Sequence, residues 1–179
     1  VYDYDFATDA LPEEVAKLFK KIIPTGIKHG TVTLLQNNHS YEITTFRSDG
    51  KYVDGRRPES ISFSKSLESD VRRRDFTING LAYEPLKEQL IDYVDGVADL
   101  HGHIIRTIGN PNDRFGEDGL RSIRACRFAA QLQFEIEEKT FKAIGDALEI
   151  TKKVSMERVR DELLKLLKAP IPSIGIEYM

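Results

Sequence analysis

The hydrophobic period of this chain changes once along its 179 residues, and that change limits what it can fold into. Early apolar residues alternate. Tyr2, Tyr4 and Phe6 fall on one face of an extended segment and Asp3 and Asp5 on the other, which is the period-of-two signature of a strand. Residues 31–35 and 41–46 are rich in Thr, Val, Ile and aromatics, and Asn37-Asn38 between them predicts a hairpin. A helix is expected over 11–23, with Pro12 in its first turn beside Glu13 and Glu14. Residues 48–59, dense in glycine, proline and charge, read as a loop, 69–81 as a short helix, and 90–108 as short strands or loops. From residue 112 the spacing turns helical, over 112–132, 137–148 and 155–167, with Ser155 as an N-cap candidate. Strands first and helices afterwards predict an α+β domain over 1–109 and a helical one over 110–179.

Composition excludes several classes. Apolar content of 40% and charged content of 31% describe an ordinary globular protein. No apolar run approaches the ~20 residues of a membrane span, and no signal-peptide pattern opens the chain. Cys126 is the single cysteine, so no internal disulfide can form and a cytoplasmic address is expected. A net charge of -3 argues against coating nucleic acid by bulk charge, yet Arg72-Arg73-Arg74 can act locally. His29, His39, His101 and His103 lack the spacing of a zinc site, and Asp92, Asp95 and Asp99 read as turn caps. The chain opens on Val1 inside a motif-like stretch and closes on Met179, so a longer parent protein is expected.

Asp3-Tyr4-Asp5 places two carboxylates on one strand face, ~7 Å apart by strand rise. Such a pair suits Mg²⁺, which takes a few carboxylates plus substrate phosphates. On its own the pattern also fits a solvated strand face. Glu42, an acid between Tyr41 and Ile43 on a second expected strand, could be brought beside the aspartates.

Arg73-Arg74-Asp75-Phe76-Thr77-Ile78-Asn79 is more specific, because apolar residues alternate through the charges. With Tyr4-Asp5-Phe6-Ala7-Thr8 it resembles two motifs of the class II tRNA nucleotidyltransferase and bacterial poly(A) polymerase family. Arg114-Phe115-Gly116-Glu117-Asp118-Gly119-Leu120-Arg121, with Ile123-Arg124-Ala125 and Arg127-Phe128-Ala129-Ala130, is similar to that family's nucleotide-reading helix. Ser155-Met156-Glu157-Arg158-Val159, with Glu162-Leu163, resembles a later motif of its neck.

The resemblance implies a nucleotidyltransferase palm, a mixed sheet with flanking helices, followed by an all-helical neck. It implies that Asp3 and Asp5 bind Mg²⁺ and that Glu42 is the third active-site carboxylate. Arg74, Asp75 and Asn79 would contact nucleotide, Asp75 near the ribose, while Asp118, Arg121, Arg124 and Arg127 would grip the incoming base. A carboxylate and a guanidinium three apart on a helix can face one base edge. Cytosine and adenine both show an amine beside an unprotonated ring nitrogen, which such a pair matches. Uracil or guanine would leave buried groups unpaired, at about 1–3 kcal/mol each. Salt bridges within a helical bundle are the other reading of these arginines.

The implied partners are CTP, ATP and the 3′ end of tRNA, and the implied reaction is CCA addition. Poly(A) polymerases of the family carry an Arg-rich segment where residues 30–46 here have none, which favours tRNA ends. Asp54-Gly55-Arg56-Arg57-Pro58 resembles the loop tied to A addition, so an A-adding enzyme stays open, as does a binding module without catalysis. The sequence also departs from the family. A Gly-Gly-x-x-Arg-Asp loop is expected before Asp3, Gly119 stands where proline is common, Asn110 where aspartate is common, and Gly80 replaces a usual alanine.

Overall fold

A computed structural model describes residues 4–50 and 60–179. They form two compact units, one of residues 4–50 and 60–73, the other of 74–179.

The first unit contains β1 (Asp5–Thr8), α1 (Pro12–Leu18), β2 (Ile22–Gly26), β3 (Thr31–Gln36), β4 (His39–Thr45), β5 (Arg47–Asp49), β6 (Ile61–Phe63) and α2 (Leu67–Arg72). Four of these strands make a mixed sheet in the order β1-β4-β3-β2, with β1 parallel to β4 and the other pairs antiparallel. The expected hairpin is β3–β4. Asn37 and Asn38 adopt φ of 51° and 61°, the left-handed pair that a two-residue turn between twisted strands requires. Gly30 (φ 85°) turns the chain into β3, against Thr45 and Phe63.

α1 is shorter than the expected 11–23. The Glu14 carboxylate accepts the Leu11 N–H at 2.7 Å and fixes its start. It ends at Leu18, because Ile22 and Ile23 pair with Leu34 and Thr33 as strand β2, where β-branched side chains fit better than in a last helical turn. The expected loop over 48–59 begins as strand β5, paired with β6; residues 51–59, including Asp54-Gly55-Arg56-Arg57-Pro58, lie outside the described residues. α2 is capped by the Ser66 hydroxyl, which accepts the Ser69 N–H at 3.3 Å.

Register divides the sheet into two faces. Phe6, Ile43 and Val32 align on one, where Val15 of α1 is buried beside Val32 and Leu34. Asp5, Glu42 and Thr33 align on the other.

The second unit contains β7 (Ala82–Glu84), β8 (Gln89–Ile91), α3 (Gly96–Gly102), β9 (Ile104–Ile105), α4 (Pro111–Glu117), α5 (Leu120–Leu132), β10 (Glu135–Ile136), α6 (Glu138–Asp146), α7 (Leu148–Thr151), α8 (Met156–Leu167) and α9 (Pro172–Glu177). Residues 110–179 form helices joined by short connections, with β10, which pairs with β9, as the strand among them. The core gathers Phe76, Ile105, Phe115, Ala125, Ala129, Ala130 and Leu166, all fully buried. Small residues on α5 let its neighbours approach, and a Cβ on Gly175 of α9 would lie 2.6 Å from the Cys126 carbonyl.

Three local outcomes differ from the sequence reading. The helix expected over 69–81 stops at Arg72, and only a 3₁₀ turn (Thr77–Asn79) follows. α3 arises inside the stretch expected to lack helix. The Asp92 carboxylate accepts the N–H groups of Val94, Gly96 and Val97 at 2.9–3.0 Å, and Asp99 accepts the Thr77 hydroxyl at 2.7 Å. Asp92 thus caps a turn, as its place in the sequence suggested. Finally, the helix expected over 112–132 breaks between α4 and α5. A Cβ on Gly119 would lie 2.8 Å from backbone atoms of Ile150 and Thr151, and Asp118 is extended (φ -149°, ψ 107°).

α8 begins after Ser155 as expected, but the Ser155 hydroxyl makes no capping hydrogen bond. The units divide between Arg73 and Arg74, upstream of the 109/110 boundary expected from the sequence. Residues 74–109 pack with the helices through Phe76 against Phe128 and through β9 against β10. Among the described residues no helix is long and apolar enough to cross a membrane.

Candidate nucleotide site

Strand register brings two of the three expected carboxylates together. Asp5 of β1 is the direct partner of Glu42 on parallel β4, so both side chains leave the same sheet face from backbones about 4.8 Å apart. Both are exposed. No described side chain donates a hydrogen bond or forms an ion pair with either. The surrounding surface is polar but neutral: Thr33 pairs with Thr25 at 2.8 Å and Thr31 with Thr44 at 3.1 Å. Asp3 lies outside the described residues. Among them no group of three acidic, His or Cys side chains could hold a metal. The donor set that is present, two carboxylates with no described cation beside them, fits a hard divalent ion such as Mg²⁺. A cavity of about 610 Å³ in this unit lies elsewhere. Its walls include Phe6, Val15, Leu34, Tyr41 and Ile43, on the apolar face opposite the carboxylates.

In the second unit, four expected residues meet in one cluster. Asp75 is buried, and its Oδ1 accepts the Phe76 N–H at 2.9 Å and the Asn79 side-chain amide at 3.0 Å. Its Oδ2 accepts Arg124 Nε at 2.8 Å and Nη2 at 2.7 Å. Burial alone would raise this carboxyl's pKa. The Arg124 charge, with the hydrogen bonds from Asn79, Arg124 and the Phe76 N–H, outweighs burial and holds it below the usual carboxylate value. Arg74 donates to the Asn79 carbonyl at 3.4 Å.

The remaining arginines are held within the helices. Arg121 donates to Glu117 at 2.5 Å and to the Arg114 carbonyl at 3.0 Å. Arg127 is buried, pairs with Glu162 at 2.5 Å, donates to Gln131 and lies 3.9 Å over the Phe128 ring. Glu162 is buried too. Desolvation would raise its pKa, but Arg127 and then Lys165 and Arg124 bring it below the ordinary value. Asp118 receives both Nη groups of Arg158, at 3.2 and 2.7 Å.

This arrangement corrects one expectation. Asp118 and Arg121 do not project from one continuous helix, because Asp118 sits in the break before α5. The salt-bridge reading of the arginines describes Arg121, Arg124 and Arg127 as they stand in this structure.

The sequence reading assigned no role to Glu117, Arg158 or Glu162. The four-residue spacing of Glu117 and Arg121 could have marked that pair. Arg158 and Glu162 reach Asp118 and Arg127 across 40 and 35 residues, and no local pattern encodes such a distance. Cys126 is buried, and its thiol pKa is pushed up to about 11 by burial, in keeping with a packing role.

Comparison with known proteins places this geometry in a family. Residues 1–106 match the family described as "Poly A polymerase head domain". Residues 133–179 match the one described as "Probable RNA and SrmB-binding site of polymerase A". The chain is 54% identical to the CCA-adding enzyme of Lactobacillus helveticus, over 93% of this chain and 41% of that protein. It is 48% identical to the CCA-adding enzyme of Streptococcus mutans, over 100% of this chain and 44% of the other. It spans less than half the length of these curated relatives. Among solved structures, it is similar to the Bacillus stearothermophilus CCA-adding enzyme in complex with CTP, at TM-score 0.90 and 39% identity, over 98% of this chain and 42% of that one. The Thermotoga maritima CCA-adding enzyme complexed with tRNA matches at TM-score 0.76 and 28% identity, over 100% and 42%. With a head-domain match over more than half its residues and relatives near 50% identity, the chain belongs to the tRNA nucleotidyltransferase and poly(A) polymerase family.

Proposed function

We propose that the protein of which this chain forms part adds CMP and AMP to the 3′ end of tRNA, using CTP and ATP. The observation that carries the reading is the in-register pair Asp5 and Glu42, exposed on a polar sheet face with no cationic partner among the described residues. A carboxylate pair built for stability would be paired, as Asp75 and Glu162 are. One left bare is suited to hold something else.

In the proposed reaction the RNA 3′-hydroxyl oxygen bonds to the α-phosphorus, the bond from that phosphorus to the bridging oxygen breaks, and pyrophosphate leaves. Asp3 and Asp5 would hold Mg²⁺ with Glu42 beside them, and the ion would neutralise triphosphate charge and ease loss of the hydroxyl proton. Arg74, Asp75, Asn79 and Arg124 would orient the nucleotide, with Asp75 fixing Arg124 and Asn79. Asp118 and Arg121 would meet the base edge. Arg127, buried against Glu162 and Phe128, would support that surface from beneath. Head and neck modules over 1–109 and 110–179, and a cytoplasmic address where tRNA is the substrate, belong to the same proposal.

The test offers each labelled NTP, with Mg²⁺, to tRNAs truncated before the first C, the second C or the final A. Incorporation of C and A that stops at CCA is the expected result. Addition of A alone to tRNA ending in CC would replace it with an A-adding enzyme, and long A tails with a poly(A) polymerase. No incorporation would leave a binding module.

A further inference from the structure

Asn79 is the one asparagine of the chain followed by glycine, and it stands inside the nucleotide cluster. Its side-chain amide donates to Asp75 Oδ1 at 3.0 Å, and its main-chain carbonyl accepts Arg74 at 3.4 Å. The backbone at the next residue does not require glycine. Gly80 has φ -94° and ψ 2°, a conformation that residues with side chains also adopt. What glycine changes there is chemical. With no Cβ, it leaves its own nitrogen unshielded toward the Asn79 amide carbon.

Asparagine is among the thermolabile residues, and the reaction of such a pair needs only water. The Gly80 nitrogen gives up its proton and bonds to Asn79 Cγ. The bond from Cγ to Nδ2 breaks, Nδ2 takes that proton, and ammonia leaves a cyclic imide behind. Water then opens either carbonyl-to-nitrogen bond of the ring, giving aspartate by one route and an isoaspartyl link by the other. Asn79 is half-buried, within reach of water, yet the fold opposes ring closure at both atoms. The Gly80 N–H donates to the Thr77 carbonyl at 2.9 Å, and the Thr77 hydroxyl is itself held by Asp99 at 2.7 Å. Nδ2, the leaving nitrogen, is tied to Asp75 by a charge-assisted hydrogen bond, which fixes the amide against the rotation that ring closure demands.

The product would undo the cluster. Aspartate at this position sets a second carboxylate against Asp75 Oδ1 in place of a donor, and like charges so close repel. An isoaspartyl link does more, because it lengthens the main chain by a methylene and turns the carbonyl that accepts Arg74 into a free carboxylate. We infer that Asn79 is a site of spontaneous deamidation whose product disables nucleotide binding, and that its hydrogen bond to Asp75 is what protects it. The cluster thus guards a residue on which it depends. The loss of activity rests on the proposed nucleotidyltransferase function; the deamidation does not.

The test ages the full-length protein under mildly alkaline conditions in water enriched with heavy oxygen. Mass spectrometry of the peptide spanning Asn79 and Gly80 reads the acid and isoaspartyl products, and CTP incorporation into tRNA is followed on the same samples. Folded wild type should convert at Asn79 about tenfold or more slowly than the same protein unfolded in urea. Asp75→Leu, which removes the acceptor, should convert about tenfold faster than folded wild type. Asp75→Asn, which keeps the shape and a weaker acceptor, should accelerate it less. Gly80→Ala should give no product, folded or in urea, and should hold its starting activity while the wild type loses activity in step with conversion. Asn79→Asp should incorporate CTP poorly from the start. Equal conversion in folded and urea-unfolded wild type, or no acceleration in either Asp75 variant, overturns the inference. So does an aged wild type whose activity survives full conversion at Asn79. A wild type that incorporates no nucleotide at the outset overturns the proposed function, and the mass readings then decide the inference alone.

Discussion

Asp75 and Arg124 meet through two N–H···O contacts of 2.8 and 2.7 Å, tying the segment after α2 to the middle of α5 across 49 residues. The same carboxylate holds the Asn79 amide and the Phe76 N–H. One buried anion thus holds three groups, two of which, on Asn79 and Arg124, are expected to serve nucleotide binding. Removing either charge leaves the other without its counterpart in a largely water-excluded place. Because 30% of the Arg124 side chain stays exposed, the cost falls below that of a fully buried pair. Asp75→Asn and Arg124→Met are each expected to destabilise by about 2–3 kcal/mol, and the double variant by less than the sum. Urea unfolding measures all three, and strict additivity would show that the pair is not coupled.

A pH dependence follows from the two lowered carboxylates, Asp75 and Glu162. Each binds a proton less readily in the folded chain than in the unfolded one, so each contributes stability that is fully present above the ordinary carboxylate pKa of about 4. That contribution is lost as the pH falls from there through the lowered folded values. Melting temperatures between about pH 6 and pH 2 should therefore drop, and the drop should be shallower in Asp75→Asn and Glu162→Gln than in the wild type. A wild-type slope retained by both variants would place the acid sensitivity on other carboxylates.

Gly119 and Gly145 make a matched pair of glycine tests. A Cβ on Gly119 would lie 2.8 Å from the Ile150 carbonyl and the Thr151 nitrogen, whereas a Cβ on Gly145 meets nothing within 4 Å. Gly119→Ala must push backbone against backbone and is expected to cost about 1–3 kcal/mol. Gly145→Ala, near the end of α6, should stabilise by up to about 1 kcal/mol through chain entropy alone. Thermal melts of the two variants should move in opposite directions; a stable Gly119→Ala protein would mean that α7 is free to retreat.

What could be read from the sequence was mostly local. Asn37-Asn38 encodes its own turn, so the β3–β4 hairpin was visible in a few residues, and with it the chance that Glu42 would stand beside Asp5. Pattern failed where a distant backbone decides. The break at Asp118 depends on α7 passing Gly119, and the end of α1 depends on Leu34 and Thr33 being available to pair with Ile22 and Ile23. The arginines show the same division. Their types and order pointed to nucleotide, but apart from the local Glu117–Arg121 pair, which acid holds which arginine is set by packing across 35 residues or more, as with Glu162 and Arg127 or Arg158 and Asp118. Asp3, the remaining expected carboxylate, lies outside the described residues, so the triad is read here from Asp5 and Glu42 alone.

Those two carboxylates offer a test that separates function from stability. Asp5 and Glu42 face each other across parallel strands with no described partner, so like charges sit side by side at a cost that their removal relieves. Asp5→Asn and Glu42→Gln should therefore leave the melting temperature unchanged or raise it slightly, with changes within about 0.5 kcal/mol. If the pair serves nucleotidyl transfer, the same variants of the full-length protein should lose incorporation of CTP and ATP by about 10³-fold or more. Loss of activity without loss of stability is the signature of carboxylates kept for chemistry. Variants that melt several degrees lower, or that incorporate nucleotide at the wild-type rate, would make the pair an ordinary strand surface and remove the main support for the proposed reaction.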